Sequence, residues 1–307
     1  MKYRKLGKTG LRVSAIGLGT WQYCGDWGKT FSAVEVEGIL RRAGELGFNL
    51  VDTAAAYGNH ASERLLGQAL SGRRNEWVVV SKFGRFRNPD GSSGLDFRPQ
   101  SVLAQLEDSL RALRTERIDV YLLHSGTSVD VASDELWTAL DKQRQAGKIG
   151  HFGISLPPAV DENIRQAQLA AERGCEVVMA LYNHLDRNPE DGTFHVCRDN
   201  GLGVLARVPL AQGYLSGKYK PGAVFAKNDV RAGYYDEATN SERLARAQQI
   251  IRHEVPQGVA PAEWAMAWSV RHPAVSACIP GFKSIEQLES GARAAELIEP
   301  GHPLELQ

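Results

Sequence analysis

The stretch GLGTWQYCGDWG, residues 17–28, follows the first apolar run, where a dinucleotide-binding sheet would carry its fingerprint. A doubly wound sheet opens on G-x-G-x-x-G, with a helix starting directly on the glycines so that its amides receive a pyrophosphate. Here the glycines are wrongly spaced and no helical pattern opens on them. Outward from this stretch, short apolar runs recur at residues 15–18, 49–51, 78–81, 120–123, 151–154, 177–181, 203–206 and 276–279, each followed by a helical pattern. Helix ends are legible too: Ser32 with Glu35 forms a capping box, Pro99 suits a first helical position, and Ser133 opens a helix that stops at Gly147. Eight strand–helix units, with no Pro-, Ser- or charge-rich linker between them, predict an α/β fold: one (β/α)8 TIM barrel domain over residues 1–307. YRKLGKTGLRV, residues 3–13, predicts an N-terminal β-hairpin closing the barrel bottom. Residues 209–240 have no clear period and predict a long, functional loop after the seventh strand.

Lys plus Arg and Asp plus Glu each total 36, so no global field favours nucleic acid or an anionic membrane. A small-molecule ligand is the better expectation. Cys24, Cys175, Cys197 and Cys278 show no metal or redox spacing in a chain that needs no disulfide staples. No apolar run has signal-peptide length or approaches the roughly 20 residues of a membrane helix, which predicts a soluble cytoplasmic protein. The histidines show neither H-x-H nor H-E-x-x-H, so no metal is expected.

In a barrel of this kind the active site lies at the C-terminal ends of the strands. Those ends carry Asp52 after NLV, Lys82 after VVVS, His124 after VYLL and Ser155 after FGI. Each alone has an ordinary structural reading, but four consecutive strands deliver them to one mouth. A phenol near pKa ~10 donates a proton at neutral pH only when a nearby ammonium favours its phenolate, and that ammonium needs a counter-charge. Asp52, Lys82 and Tyr57 would form such a chain, with a neutral His124 holding a substrate oxygen in line.

These residues carry a resemblance. RKLGKTGLRVSAIGLGTW, VDTAAAYGNHASERLLGQAL, VVVSKFG, IDVYLLHSG, GISLP, PLAQGYLSGKY and CIPGFKSIEQLE fall in the order seen in the aldo-keto reductase family, of the bacterial type with similarity to potassium-channel β subunits. The resemblance implies an enzyme: an oxidoreductase reducing an aldehyde, ketone or sugar carbonyl to an alcohol, reversibly. It implies Tyr57 as proton donor, with Lys82, Asp52 and His124 as its partners. The implied cofactor is NADP(H), with NAD(H) the alternative, bound across the barrel mouth by Thr20, Trp21, Ser155, Asn183, Arg207, Leu210, Ser216, Gly217, Lys218, Gly281, Lys283, Ser284 and Gln287. Lys283 and Ser284 match positions that hold the adenosine 2′-phosphate, which leans the expectation toward NADP.

The chain also departs from that pattern. Leu156 stands where Asn is usual, Met179 where Gln is usual, and Arg207 where an aromatic ring commonly stacks on the nicotinamide. Gln287 replaces a common Arg, and Ser290–Gly291 replace Glu-Asn. Asn183 is expected to substitute in holding the carboxamide. For the substrate, Trp21, Tyr23, Trp27 and Phe83 are expected to wall the pocket, with Phe86, Tyr234 and Tyr235 beside them; Arg85 and Arg87 are candidate anchors for an acidic group, but two arginines in a Gly-Pro-rich loop are expected to be solvated. Two other functions remain open at this point: a nucleotide-binding redox sensor of the same fold, and a Schiff-base aldolase using Lys82.

Overall fold

Strands buried on both faces read as continuous apolar runs, and eight such runs pair in parallel here. The computed structural model describes residues 1–88, 90–159 and 161–306. Its barrel strands are β1 (Leu18–Gly19), β2 (Leu50–Asp52), β3 (Val78–Phe83), β4 (Ile118–His124), β5 (Ile149–Ser155), β6 (Val177–Leu181), β7 (Gly203–Arg207) and β8 (Val275–Ile279). Each pairs with its neighbour in sequence, and bridges Ile16–Cys278 and Gly19–Gly281 join the last strand to the first. The seam is tight: a Cβ on Gly19 would sit 2.8 Å from the Ile279 carbonyl oxygen.

Helices α1 (Ala33–Glu45), α2 (Ala61–Ala69), α3 (Pro99–Leu113), α4 (Asp134–Gln145), α5 (Asn163–Glu172) and α6 (Thr193–Asp199) follow their strands. α7 (Glu237–Glu254), α8 (Pro261–Ser269) and α9 (Ile285–Glu296) complete the outer layer. The Ser32–Glu35 capping box forms, Pro99 opens α3, and the Ser133 hydroxyl caps α4. The hairpin forms from Tyr3–Lys5 and Arg12–Ser14, and gains a third strand, Glu305–Leu306, that no periodicity in the tail announced. Leu6 and Val13 from this unit pack among the barrel's interior side chains. Within residues 209–240 lie two short 3-10 turns, Ala211–Ser216 and Val230–Gly233, before α7 begins. Among the described residues the four cysteines are unpaired, and no helix is long and apolar enough to cross a membrane.

Strand residues alternate faces, so each interior column is read every second residue. Leu50, Val80, Leu122 and Leu205 are interior, and two residues further up their strands stand Asp52, Lys82, His124 and Arg207. Interior packing therefore sets the orientation of the polar residue that tops each column.

Candidate active site

Asp52, Tyr57, Lys82 and His124 line one cavity of about 730 Å³ at the C-terminal ends of the strands. The Lys82 ammonium is buried and makes three hydrogen bonds: to Asp52 Oδ1 at 2.6 Å, to the Thr53 carbonyl at 2.7 Å and to the Tyr57 phenol oxygen at 3.1 Å. An ammonium has three hydrogens and no lone pair, so all its hydrogens are placed. Tyr57 must accept from Lys82, which leaves the phenol's own hydrogen free to point into the cavity.

The charges around this chain oppose one another. Burial pulls the Lys82 pKa down, but the Asp52 carboxylate and Tyr57 outweigh it and the net shift is upward. Burial likewise raises the Asp52 pKa against the pull of Lys82, and with the ammonium held by three oxygens the pair is an ion pair. For Tyr57, burial raises the pKa more than Lys82 lowers it. The sequence reading had the ammonium pull the phenol down; here it only limits the rise. Burial, then the charges of Lys82, Arg85 and Arg207, press the His124 pKa well below the ordinary histidine value, so the ring is neutral. Its ring packs edge-on to Tyr57 with centroids 6.1 Å apart, and Nδ1 has no partner among the described residues.

Other expected residues divide into those that face the cavity and those that do not. Trp21, Trp27, Ser155, Arg207, Leu210, Ser216, Lys218, Gly281, Lys283 and Gln287 line it. Trp21 stacks on Tyr57 at 6.0 Å and meets Trp27 edge-on. Thr20 lies behind the site, its hydroxyl donating to the Asp52 carbonyl and accepting from Ser62. Gly217 turns the chain against Pro261 at a positive φ, and the Ser284 hydroxyl oxygen accepts from the Gln287 amide as the N-cap of α9. Asn183 is buried, its amide donating to Asp186 and the Val208 carbonyl while its oxygen accepts from the Leu185 and Asp186 amides. No capacity is left there for a carboxamide. Tyr23 packs on Phe31 and Phe83 on Tyr121, both in the helix–sheet core rather than the pocket wall. A side chain on Gly94 would run into the Phe86 ring. Tyr234 lines the cavity. Arg85 and Arg87 line it too, but Arg87 is engaged by Asp26, its Nη1 donating to both carboxylate oxygens at 2.8 and 2.7 Å.

The sequence reading missed Arg231. It sits in the aperiodic segment, bonded to Asp229 and to the Tyr219 hydroxyl, and its guanidinium lies 4.3 Å from the Phe225 ring centre. The only local sign was an Asp two residues before it. Trp27 bridges Asp229, and Val230 donates its amide to the Asp26 carbonyl at 2.8 Å, so the loops after β1 and β7 are strapped together at the mouth.

These residues fit a nicotinamide dinucleotide. Lys218, Arg231 and Lys283 all line the cavity, and the Lys283 pKa is lowered by burial and then by the charge of Arg231, against the pull of Asp229, which pairs with Arg231. Trp27 Nε1, Gln22 Oε1 and Gln212 Oε1 are buried without partners among the described residues, and all three side chains line the cavity. Ser155 and Arg207 are further polar groups on the same wall as Tyr57, with Met179 on the strand between them and Leu156 buried behind. Arg207 is fixed by donating to the Leu156 carbonyl at 3.1 Å.

The model of the aldo/keto reductase family matches residues 15–299. An uncharacterized oxidoreductase, YqkF, of Bacillus subtilis is 31% identical over 299 residues, covering 96% of this chain and 91% of its own. The aldo-keto reductase yakc [NADP(+)] of Schizosaccharomyces pombe is 29% identical, covering 96% and 86%. Among solved structures, the holo form of aldo-keto reductase AKR11C1 from Bacillus halodurans superposes with a TM-score of 0.79 at 29% identity, covering 96% of this chain and 91% of that one.

Proposed function

The chain belongs to the aldo/keto reductase family, and from that premise we infer that it reduces the carbonyl of an aldehyde, ketone or sugar with NADPH, reversibly, with Tyr57 as proton donor. The observation that carries this reading is the exhausted hydrogen set of Lys82, which turns the Tyr57 hydrogen toward the cavity. When bound, the reduced nicotinamide supplies a hydride to the carbonyl carbon. Tyr57 gives its proton to the carbonyl oxygen as negative charge gathers there, Lys82 stabilises the phenolate left behind, and Asp52 keeps Lys82 charged. Neutral His124 orients that oxygen without competing for the proton. Ser155 and Arg207 hold the carboxamide end, while Lys218, Arg231 and Lys283 take the phosphates.

What supports NADPH over NADH is Lys283, at the position that the family resemblance gives to the 2′-phosphate; the pyrophosphate is common to both nucleotides. A charge-assisted hydrogen bond is worth about 1.5–3 kcal/mol, so Lys283→Met raises the NADPH dissociation constant about tenfold or more and changes that for NADH less. Quenching of tryptophan fluorescence, with Trp21 and Trp27 on the cavity wall, reads both constants. Equal losses for the two nucleotides would place Lys283 away from the 2′-phosphate.

The strap makes a second expectation: NADPH slows proteolysis within residues 209–240, because a nucleotide bound beneath the Trp27–Asp229 bridge would hold the strap closed. Identical cleavage with and without nucleotide would remove the strap from the binding path. The decisive test of the whole reading is turnover of an aldehyde and ketone panel with NADPH. Nucleotide binding with no turnover would support the redox-sensor function instead. The aldolase reading needs a neutral amine, and the raised pKa of Lys82 opposes it.

A further inference from the structure

Two guanidinium groups face the carbonyl end of the cavity without an acidic partner. Asp52 is engaged by Lys82, and Asp26 by Arg87. Arg207 and Arg85 remain: Arg207 is tied to the Leu156 carbonyl, whereas Arg85 has no side-chain hydrogen bond or ion pair among the described residues, and its buried Nε lacks any acceptor. Arg85 lies near His124, whose pKa its charge helps to lower, and it shares the cavity wall with Tyr57. A partly buried cation facing an apolar pocket is costly to leave unpaired.

The backbone that carries Arg85 is fixed. It opens the hairpin formed by Arg85–Arg87 and Ser93–Leu95, directly after β3. The Gln105 side chain, from α3, accepts from the Gly84 amide at 2.7 Å and donates to the Arg85 carbonyl at 3.0 Å, so one residue clamps both sides of the Arg85 Cα. Gly84 holds φ +87°, and the Phe97 ring fills the place a Cβ would take, 1.9 Å from it. At the far edge of the same hairpin, Arg87 pins it to Asp26. The two arginines thus divide the work: one is spent on holding the loop, and the other is held out to the cavity.

Resting on the reductase reading of this site, we propose that the carbonyl substrate carries an anionic group, a carboxylate or a phosphate, which Arg85 binds on the His124 side of Tyr57. The planar fork of the guanidinium suits either oxyanion. Both the anionic group and the carbonyl then have partners, and the Arg85 charge gains the counter-ion that the protein does not supply.

Matched substrates test this and separate the two anions: succinic semialdehyde against butanal, and glyceraldehyde 3-phosphate against glyceraldehyde. The expected result is a kcat/KM at least tenfold higher for the anionic member of one pair. In Arg85→Gln that ratio falls about ten- to hundredfold, chiefly through KM, whatever common factor moves both members. Arg85→Lys, which keeps the charge and loses the fork, falls between. A ratio near one in the unaltered protein, or one that Arg85→Gln leaves in place, overturns the proposal while the reductase reading stands. If none of the four is reduced, the aldehyde and ketone panel judges the reductase reading, and calorimetric titration with succinate and with glycerol 3-phosphate decides the anion site by itself. Binding that is lost in Arg85→Gln upholds an anion site at Arg85. Absent binding, or equal binding in both proteins, removes it.

Discussion

Tyr57→Phe lowers kcat for carbonyl reduction by about 10²–10⁴-fold, the range a positioned general acid contributes, and leaves the NADPH dissociation constant within a small factor. The substitution removes one oxygen and keeps the ring that stacks on Trp21 at 6.0 Å, so the wall of the cavity is preserved. What is lost is the only acidic hydrogen that Lys82 directs outward. The pH profile carries the same argument. Reduction requires the phenol protonated, and burial holds its pKa above the ordinary value, so kcat/KM stays level through neutral pH and declines only above ~10. His124 adds no acid limb near ~6.5, because burial and its three cationic neighbours keep it neutral below that point. A profile that falls between pH ~6 and ~7, or a Tyr57→Phe protein with most of its turnover, would move the proton donor elsewhere.

The barrel and the meeting of Asp52, Lys82 and His124 at its mouth were legible in the sequence for one physical reason. A strand buried on both faces leaves few choices, and the first polar residue above an interior column must emerge at the mouth. Leu50 below Asp52, Val80 below Lys82 and Leu122 below His124 are three instances of the same rule. Where side-chain direction depended on loop geometry instead, the reading failed. Tyr23 follows the first strand as Trp21 does, yet a 3-10 turn over Trp21–Cys24 sends it onto Phe31 in the core. Phe83 is one residue beyond Lys82 and therefore on the opposite face of β3, packed on Tyr121 and Trp137. Strict alternation would have assigned it to the core. Asn183 had the right chemistry, but its amide closes the turn to Asp186 and is consumed there. Arg231 had no period or motif to mark it; its place comes from the strap between two distant loops.

Three departures from the family pattern, Leu156, Met179 and Arg207, meet on adjacent strands at one wall of the cavity. Met179 tops the interior column of β6 with a thioether, a weak acceptor at best, and Leu156 turns away into the core. Arg207 reaches across to the Leu156 carbonyl, so the backbone at that position anchors the guanidinium that stands in the pocket. Burial without an acid partner lowers the Arg207 pKa, yet its charge still bears on Tyr57 and His124. That charge adds to Lys82 in limiting the rise of the phenol.

The second large effect separates chemistry from folding. Lys82→Met removes one half of a buried ion pair and strands Asp52, at a cost of about 3–5 kcal/mol in stability. Activity falls at least 10²-fold, because Tyr57 loses the ammonium that stabilises its phenolate. Taken alone, either loss could be blamed on the other. The double variant Lys82→Met/Asp52→Val resolves them: replacing both charges by apolar groups close to them in size removes the stranded carboxylate, so most of the stability returns while turnover does not. Chemical denaturation of the two variants gives the first quantity and NADPH oxidation the second. The Thr53 carbonyl and the Tyr57 oxygen lose their donor in both proteins, so incomplete recovery of about 1 kcal/mol is expected. If the double variant were as unstable as the single one, Lys82 would hold the fold through its other two hydrogen bonds. If turnover returned with stability, the ammonium would be a packing element, and the proton chain drawn through Asp52, Lys82 and Tyr57 would have to be abandoned.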